Sequence, residues 1–382
     1  MTKTNSSTTR IAKNTFTSEI LTMTNSKDVI SFLRFPMAAL IVLLHADIVY
    51  QSDIPIRYDG GWANIVIITL SYGICQVAVP VFALISGYLF FGGLQCFQTT
   101  TWIAKIKRRF TSLFVPYILW NIIAFLWMIF YNYLLHTFRG SEFDVMNVYE
   151  SVGGLRLFWD GWCNLPIDGP LWYIKNLMII ILLSPLLYVV IKYSKSMGVL
   201  VLGLLYVFNI WPSWHWFNIQ VIFFFSLGAY YKLKDEEPFV DICRYRFYAY
   251  LLAGFSLLAL LLSFNISPKY SLIAHHLFTI FGVISVFIAA RKFTQYEKLN
   301  SIFCMLGASS FFVYAVHRFA LIDLVKDIAI KLIPQNSDFA LIAVYFVVAF
   351  STFIICHCMF LVMKALCPRI LSLLIGGRII TK

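Results

Sequence analysis

Long apolar runs separated by short polar connectors are the dominant pattern along this chain. The runs hold 15 to 27 residues each, and a helix needs about 20 apolar residues to cross a hydrocarbon core of about 30 Å. The pattern therefore predicts an all-α fold, a polytopic membrane helix bundle with about ten transmembrane helices. The predicted spans lie near residues 28–50, 65–91, 110–136, 171–191, 197–211, 214–231, 247–264, 271–290, 301–322 and 338–363.

Composition and charge agree with this assignment and predict an orientation. Hydrophobic residues make up 60% of the chain and charged residues 13%, whereas a soluble domain has about 25% charged residues. With the N-terminus inside, the predicted loops place 21 of the 30 Lys and Arg on the cytosolic side and 6 on the other. This bias predicts cytosolic N- and C-termini. It also explains the net charge of +12 without a nucleic acid partner.

A single membrane domain accounts for most of the chain. Residues 1–27 are polar and lack the apolar segment of a signal peptide, so we expect a disordered cytosolic tail. The membrane domain is expected over residues 28–365, and a cytosolic C-terminal tail over 366–382. The 8 Cys are scattered, and Cys356-His357-Cys358 lacks the companions of a four-ligand metal site. We expect neither a metal nor a disulfide framework.

Two ionisable residues, Arg34 and His45, are predicted to share a helix face inside the first apolar run. Eleven positions separate them, which is about three turns and about 16 Å along a helix axis. Taken alone, Arg34 is typical of a side chain that reaches the cytosolic surface, and His45 of a hydrogen-bonded core histidine. Ionisable residues on one face of a membrane helix usually serve the bundle interior. Together they favour an anion-binding Arg34 and a His45 that works deeper as a base or acceptor.

A second basic cluster precedes the third predicted span. Lys105, Lys107, Arg108 and Arg109 occupy four of five consecutive positions. Anchoring by the positive-inside rule explains such a cluster. A phosphate-rich ligand at the cytosolic face explains it equally well. The residues alone leave both interpretations open.

Several segments, taken in order, resemble the membrane acyltransferase-3 family. Arg34 and His45 match its Arg-x10-His signature. The stretch VPVFALISGYL, residues 79–89, is similar to its second helix, and KIKRRFTSLFVPYILW, residues 105–120, to its basic loop and following Pro-Tyr and Trp. The remaining similar segments are PLWY at 170–173 with the following SPL, FFFSLGAYY at 223–231 and LGASSFFVYAVHRF at 306–319. The resemblance covers about residues 28–365.

The chain departs from the family pattern at two points. Family members often carry a second Arg nearer the Pro of the third helix, where this chain has Thr111 and Ser112. The sequence also ends after the last span, without the extracytoplasmic esterase-like domain of some relatives. We therefore expect the membrane domain to finish the transfer itself or to pass the acyl group to a partner.

The resemblance implies a multi-pass O-acyltransferase of a bacterial cell membrane. Such an enzyme transfers an acyl group, usually acetyl, from cytosolic acyl-CoA to a hydroxyl of an extracytoplasmic or lipid-linked carbohydrate. Its expected partners are therefore acyl-CoA, a glycan or lipid-linked sugar, and membrane lipids. His45 is implied as general base or acyl carrier, and Arg34, nearer the cytosol, as a second catalytic residue. Both roles of His45 need a neutral imidazole. The residues implied in binding the polyanionic end of CoA are Arg34, Lys105, Lys107, Arg108 and Arg109.

Four further residues are weaker candidates for substrate contact: Ser86, Trp172, Lys175 and His317. Ser86 is more typical of close helix packing, and Lys175 of an anchor at the outer interface. His317, with Arg318 beside it, is placed toward the outer half of the ninth span, where it can face the acceptor. Asp160 and Asp168 in the long outer loop can reach back to orient His45.

Two interpretations from other classes stay open. Ten spans with a histidine deep in the membrane also suit a polytopic exporter of a glycan or lipid-linked sugar. A non-catalytic scaffold in an envelope-assembly complex is the third interpretation. The exporter predicts that His45→Ala leaves acylation intact while export fails, and the scaffold predicts that Arg34→Ala and His45→Ala are both silent.

Overall fold

The computed structural model describes residues 26–49, 61–93, 98–139, 144–151, 165–212, 214, 216–234, 245–319 and 321–377. Over these ranges the secondary structure is helical and contains no strand, in agreement with the predicted all-α fold. Most of the predicted N-terminal tail, together with Asp160 and residues 378–382, lies outside them.

Fifteen helices are numbered here in chain order over the described ranges. They are α1 Ser26–His45, α2 Trp62–Phe91, α3 Thr99–Arg139, α4 Val145–Ser151, α5 Trp172–Leu182, α6 Ser184–Ser194, α7 Ser196–Val207, α8 Ile219–Leu233, α9 Arg246–Ser263, α10 Pro268–Phe293, α11 Glu297–Gly307, α12 Ser310–Val316, α13 Leu321–Leu332, α14 Asp338–Leu366 and α15 Pro368–Leu374. A short 3-10 turn, Gly169–Leu171, precedes α5.

Each predicted apolar segment coincides with a helix or with a bent pair of helices. Within the described ranges, 6 helices are long and apolar enough to cross a membrane, or up to 8 if α5–α6 and α11–α12 each form one span. Those pairs bend by 67° and 47°. The helices α7 and α8 have 12 and 15 residues, and at about 1.5 Å per residue both are shorter than a hydrocarbon core. The chain is a multi-pass membrane protein, while the count of ten spans and the orientation of the termini stay predictions.

The helix α2 is irregular in its N-terminal half. A π-helical segment, Ile68–Gly73, and a 3-10 segment, Ile74–Val77, interrupt its α-helical hydrogen bonding. Side chains contact the carbonyls affected: Gln76 donates to the Ser71 carbonyl at 3.1 Å, and His275 Nδ1 lies 2.9 Å from the Tyr72 carbonyl. Backbone carbonyls inside a membrane need such partners. One local contact and one tertiary contact, from His275 of α10, therefore support this irregular stretch.

The helices α2 and α8 cross at very close range. A β-carbon at Gly87 would overlap the backbone carbonyl of Phe225, and one at Gly228 would overlap that of Leu84. The two glycines therefore let the two backbones touch, as small residues do in membrane helix pairs. Gly87, the α2 residue at this close approach, directly follows Ser86.

The first turn of α2 is capped by a residue from a distant helix. The carboxylate of Asp338, in the first turn of α14, accepts hydrogen bonds from the backbone N–H groups of Trp62 and Ala63 at 3.3 and 3.2 Å. The first N–H groups of a helix have no partner within the helix. Asp338 thus joins the N-terminal ends of α2 and α14.

We expect Asp338→Ala to lower the free energy of unfolding by about 1 kcal/mol, which is the usual effect of removing a capping carboxylate. The thermal unfolding midpoint in mild detergent measures this effect. Asp323→Ala is the matched control, because Asp323 is exposed in the first turn of α13. Equal midpoints for the two variants would contradict the capping role.

The C-terminal segment packs against α3. The Trp120 indole donates to the Leu374 carbonyl at 3.0 Å, and Leu371 is fully buried. Gly376 has φ +73°, and a β-carbon there would overlap the carbonyl of Ser112, so this position favours glycine. Part of the predicted C-terminal tail, Pro368–Leu374, is therefore a packed helix.

Candidate active site

One neighbouring element lies alongside both Arg34 and His45. Both residues belong to the continuous helix α1, whose Arg34 is exposed and whose His45 is half-buried. A β-carbon at Gly307, the end of α11, would lie 3.3 Å from Cβ of Arg34. The His317 ring, directly after α12, lies 5.2 Å from the His45 ring, centroid to centroid. The bent pair α11–α12 therefore follows the α1 face that carries the two predicted residues.

The bend of this pair is held by a contact from α14. Ser309, between α11 and α12, donates to the Leu306 carbonyl at 2.8 Å, and His357 Nδ1 lies 2.9 Å from the Ser309 hydroxyl. The partner of His357 is thus a hydroxyl and not a cluster of metal-ligating side chains. Among the residues that the structure describes, no group of three or more His, Cys, Asp or Glu is placed to hold a metal.

His317 is fully buried, and its hydrogen bonds indicate its tautomer. Its Nδ1 lies 2.8 Å from the Tyr314 carbonyl and 3.2 Å from the Val313 carbonyl. A carbonyl only accepts, so the hydrogen-bond pattern assigns the proton of the neutral ring to Nδ1. Nε2 is then a lone-pair acceptor, and it is buried with no hydrogen-bond partner in the described part of the chain. His317 therefore places a second neutral imidazole, with an unprotonated ring nitrogen, next to the His45 ring.

The segment before α5 is fastened next to the histidine pair. The Asp168 N–H donates to the Asn121 side chain at 3.2 Å, and the Tyr314 hydroxyl donates to the Pro170 carbonyl. Burial raises the pKa of the Asp168 carboxyl well above its usual range, and the nearby Arg318 guanidinium opposes that rise. Asp168 thus interacts electrostatically with Arg318, the neighbour of His317 in sequence, and with Tyr117 and Tyr314.

A series of polar side-chain contacts connects α2, α5 and α3. The Ser86 hydroxyl lies 3.1 Å from the Tyr173 hydroxyl, and the half-buried Arg109 interacts electrostatically with Tyr173. Arg109 also lines a mostly apolar groove of ≈120 Å³ between α3 and α5. The other lining residues are Ile106, Phe110, Leu113, Phe114, Met178, Ile181 and Leu182. This lining suits an apolar ligand better than a sugar.

The structure divides the basic cluster among different environments. Lys105 donates to the carbonyls of Phe90 and Gly92 at the end of α2, where the helix dipole favours a cation. Lys107 and Arg108 are exposed, while Arg109 turns toward Tyr173. The four residues therefore do not form one equivalent set.

Two of the weaker candidates lie at the start of α5, in unlike surroundings. Trp172 is half-buried, and its carbonyl accepts a hydrogen bond from Asn176 at 2.9 Å. Lys175 is 2% exposed, and burial of a cation is costly unless it is paired. That burial differs from what an interfacial anchor would show.

The structure also brings together polar residues that the sequence did not single out. Asp47 is fully buried two residues after His45, and it interacts electrostatically with Tyr345. The Tyr345 hydroxyl lies 2.9 Å from the hydroxyl of Ser71 in the π-helical segment. An Asp inside an apolar run was the one signal for this cluster, while Tyr314 and Tyr173 gave none beyond their aromatic character.

The sequence is similar to those of known proteins. A family model described as an acyltransferase domain, of the acyltransferase-3 type, matches residues 29–361. The succinoglycan biosynthesis protein ExoH of Rhizobium meliloti (strain 1021) is 24% identical over 243 residues. That alignment covers 61% of this chain and 60% of ExoH, so the similarity spans less than two thirds of that relative. No solved structure matches the chain.

Proposed function

We propose, from the premise that the chain belongs to the acyltransferase-3 family, that it is a membrane O-acyltransferase acting on a polysaccharide. The proposed donor is cytosolic acetyl-CoA, and the proposed acceptor is a hydroxyl of an extracytoplasmic or lipid-linked glycan in a bacterial cell membrane. The observation that carries the proposal is the His45–His317 pair, at 5.2 Å between ring centroids, in which His45 belongs to the helix that also holds Arg34. ExoH, named for succinoglycan biosynthesis, supports a polysaccharide as the acceptor class.

The donor side of the proposal uses the residues nearer the start of α1 and α3. Arg34, Lys107 and Arg108 are exposed, and guanidinium and ammonium groups suit the phosphates of CoA. Lys105 is bound to the carbonyls that end α2, so we assign it a lesser part than the sequence suggested. The pantetheine arm would follow the groove beside Arg109, toward Tyr173 and Ser86.

The acceptor side of the proposal uses the histidine pair. In one route His45 takes the proton of the acceptor hydroxyl, and the hydroxyl oxygen attacks the thioester carbonyl. A C–O bond forms, the C–S bond breaks, and the proton passes from His45 to the CoA thiolate. In the other route His45 attacks first and releases CoA thiol, and the hydroxyl then displaces the imidazole from the acyl group. The buried Nε2 of His317 suits the second base that the latter route needs.

Mass spectrometry of surface glycans tests the proposed function. Glycans from cells that lack the protein are compared with glycans from cells complemented with it. The proposal predicts one base-labile acyl group per acceptor site that appears only with the protein. Glycan that is lost from the surface but keeps its acyl groups would instead support an exporter, and unchanged glycan in every envelope fraction would contradict both.

We expect Tyr173→Phe to lower kcat/KM for acyl transfer about 5- to 10-fold, the effect of losing roughly one hydroxyl hydrogen bond. The hydroxyl contacts Ser86 and is near Arg109, so Ser86→Ala should add little in the Tyr173→Phe background. Tyr193→Phe is the control, because Tyr193 is 78% exposed. Equal kcat/KM for the two tyrosine variants would contradict a role for this chain of contacts.

A further inference from the structure

A basic pocket lies between the ends of α6 and α8, apart from the residues assigned to acyl transfer. Its volume is ≈220 Å³. It is lined by Tyr188, Ile191, Lys192, Lys195, Tyr230, Leu233 and Lys234. Three lysines therefore face one small space, and none of the described lining residues is acidic.

The pocket lies on the side of the bundle where α3 begins. Lys232, in the last turn of α8, has its Nζ 5.0 Å from the ring centroid of Tyr88 near the end of α2. Lys105, near the start of α3, binds carbonyls at the same end of α2. In the predicted orientation this side is cytosolic. It faces both cytosolic nucleotides and the anionic headgroups of the inner leaflet.

Aromatic rings hold two of the lysines. Lys192 Nζ lies 5.5 Å from the ring centroid of Tyr188, and Lys234 Nζ lies 4.8 Å from that of Tyr230. Tyr188 and Ile191 are buried, so the floor of the pocket is packed. Ammonium groups and tyrosine hydroxyls held in this way are donors that suit a phosphate.

The third lysine occupies an unusual backbone conformation. Lys195 joins α6 to α7 with φ 52° and ψ −130°. Glycine adopts positive φ readily, whereas a residue with a β-carbon is strained there. Strain of this kind is often found where a side chain serves a ligand. Lys195 thus places a third cation on the pocket wall at the cost of backbone strain.

We propose that this pocket binds the phosphate group of an organic phosphate ester through Lys192, Lys195 and Lys234. Two sources share that chemistry: the headgroup of an anionic phospholipid and the phosphates of a nucleotide such as the one in CoA. The competing explanations are non-specific anchoring by the positive-inside rule and pairing with the acidic Asp235, Glu236 and Glu237, which lie outside the described residues.

Binding measurements on the purified full chain test this proposal. One arm titrates 3′,5′-adenosine bisphosphate by calorimetry in neutral detergent. The other compares phosphatidylglycerol with phosphatidylcholine by native mass spectrometry. We expect the double variant Lys192→Ala/Lys234→Ala to lower the affinity for one of these ligands about tenfold or more, because charge-assisted hydrogen bonds are lost. The arm that weakens identifies the source of the phosphate.

Two further variants separate binding from fold and from charge. Lys292→Ala/Lys298→Ala removes the same charge from exposed lysines on the predicted cytosolic side and should leave both affinities unchanged. Lys195→Gly should lower the affinity while leaving the unfolding midpoint unchanged or higher, because glycine relieves the strained φ. The proposal would be overturned if neither probe bound the wild-type chain, or if the affinities were equal in all variants. Acyl transfer that persists in that case leaves the proposed function intact.

Discussion

Replacing His45 by alanine is expected to lower acyl transfer about 100- to 10,000-fold, the range that a positioned general acid–base group contributes. Both proposed routes pass through the His45 imidazole, which lies beside His317 at the end of α1. The variant should fold, because His45 is only half-buried. Radiolabelled acetyl-CoA and isolated membranes measure the initial rate.

The matched control for this prediction is His136→Gln. His136 is exposed in α3, and its replacement should leave the rate within about twofold, since surface substitutions usually have small effects. Protein levels and unfolding midpoints are compared for both variants. A rate for His45→Ala that equals the control would remove His45 from the mechanism.

Alanine at either glycine of the α2–α8 crossing is expected to prevent correct folding or to lower stability strongly. A β-carbon at Gly87 or Gly228 would overlap a backbone carbonyl of the partner helix, which cannot move as a side chain tip can. Overpacking typically costs about 1–3 kcal/mol and sometimes more, and a close helix crossing is less able to adjust than a side-chain core. The yield of monodisperse protein and its unfolding midpoint measure the effect.

The sign of this effect distinguishes packing from helix propensity. Gly254 lies in α9 with nothing within 4 Å of the position of an added β-carbon. Alanine there should be neutral or stabilising by up to about 1 kcal/mol, because alanine favours helix more than glycine does. Gly87→Ala should therefore lower the midpoint, whereas Gly254→Ala should leave it unchanged or raise it. Equal shifts would mean that the crossing is looser than the structure indicates.

Local sequence patterns predicted the helices well, because membrane backbone must satisfy its own hydrogen bonds. Each apolar segment proved to be a helix or a bent pair. The bends and the π-helical segment were not predictable in this way. The supports at these places, such as His275 at the Tyr72 carbonyl and His357 at Ser309, come from residues far away in the sequence.

The sequence predicted the relation of site residues within one helix but not the contacts between helices. Arg34 and His45 share a helix, so their relation follows from helical periodicity. The approach of His317 to His45 depends on how α12 packs on α1, which periodicity does not specify. The basic segment shows the same limit: four neighbouring cations look alike in sequence, yet Lys105 binds the end of α2 while Arg109 faces Tyr173.

The most direct test of the central claim is acyl transfer by the purified protein in lipid vesicles. The donor is acetyl-CoA labelled in the acetyl group, and the acceptor is polysaccharide extracted from cells that lack the protein. We predict that label enters the polysaccharide as a base-labile ester with the wild-type chain and does so far more slowly with His45→Ala. Folded wild-type protein that transfers no label, or a His45→Ala variant that transfers label at the wild-type rate, would contradict the account.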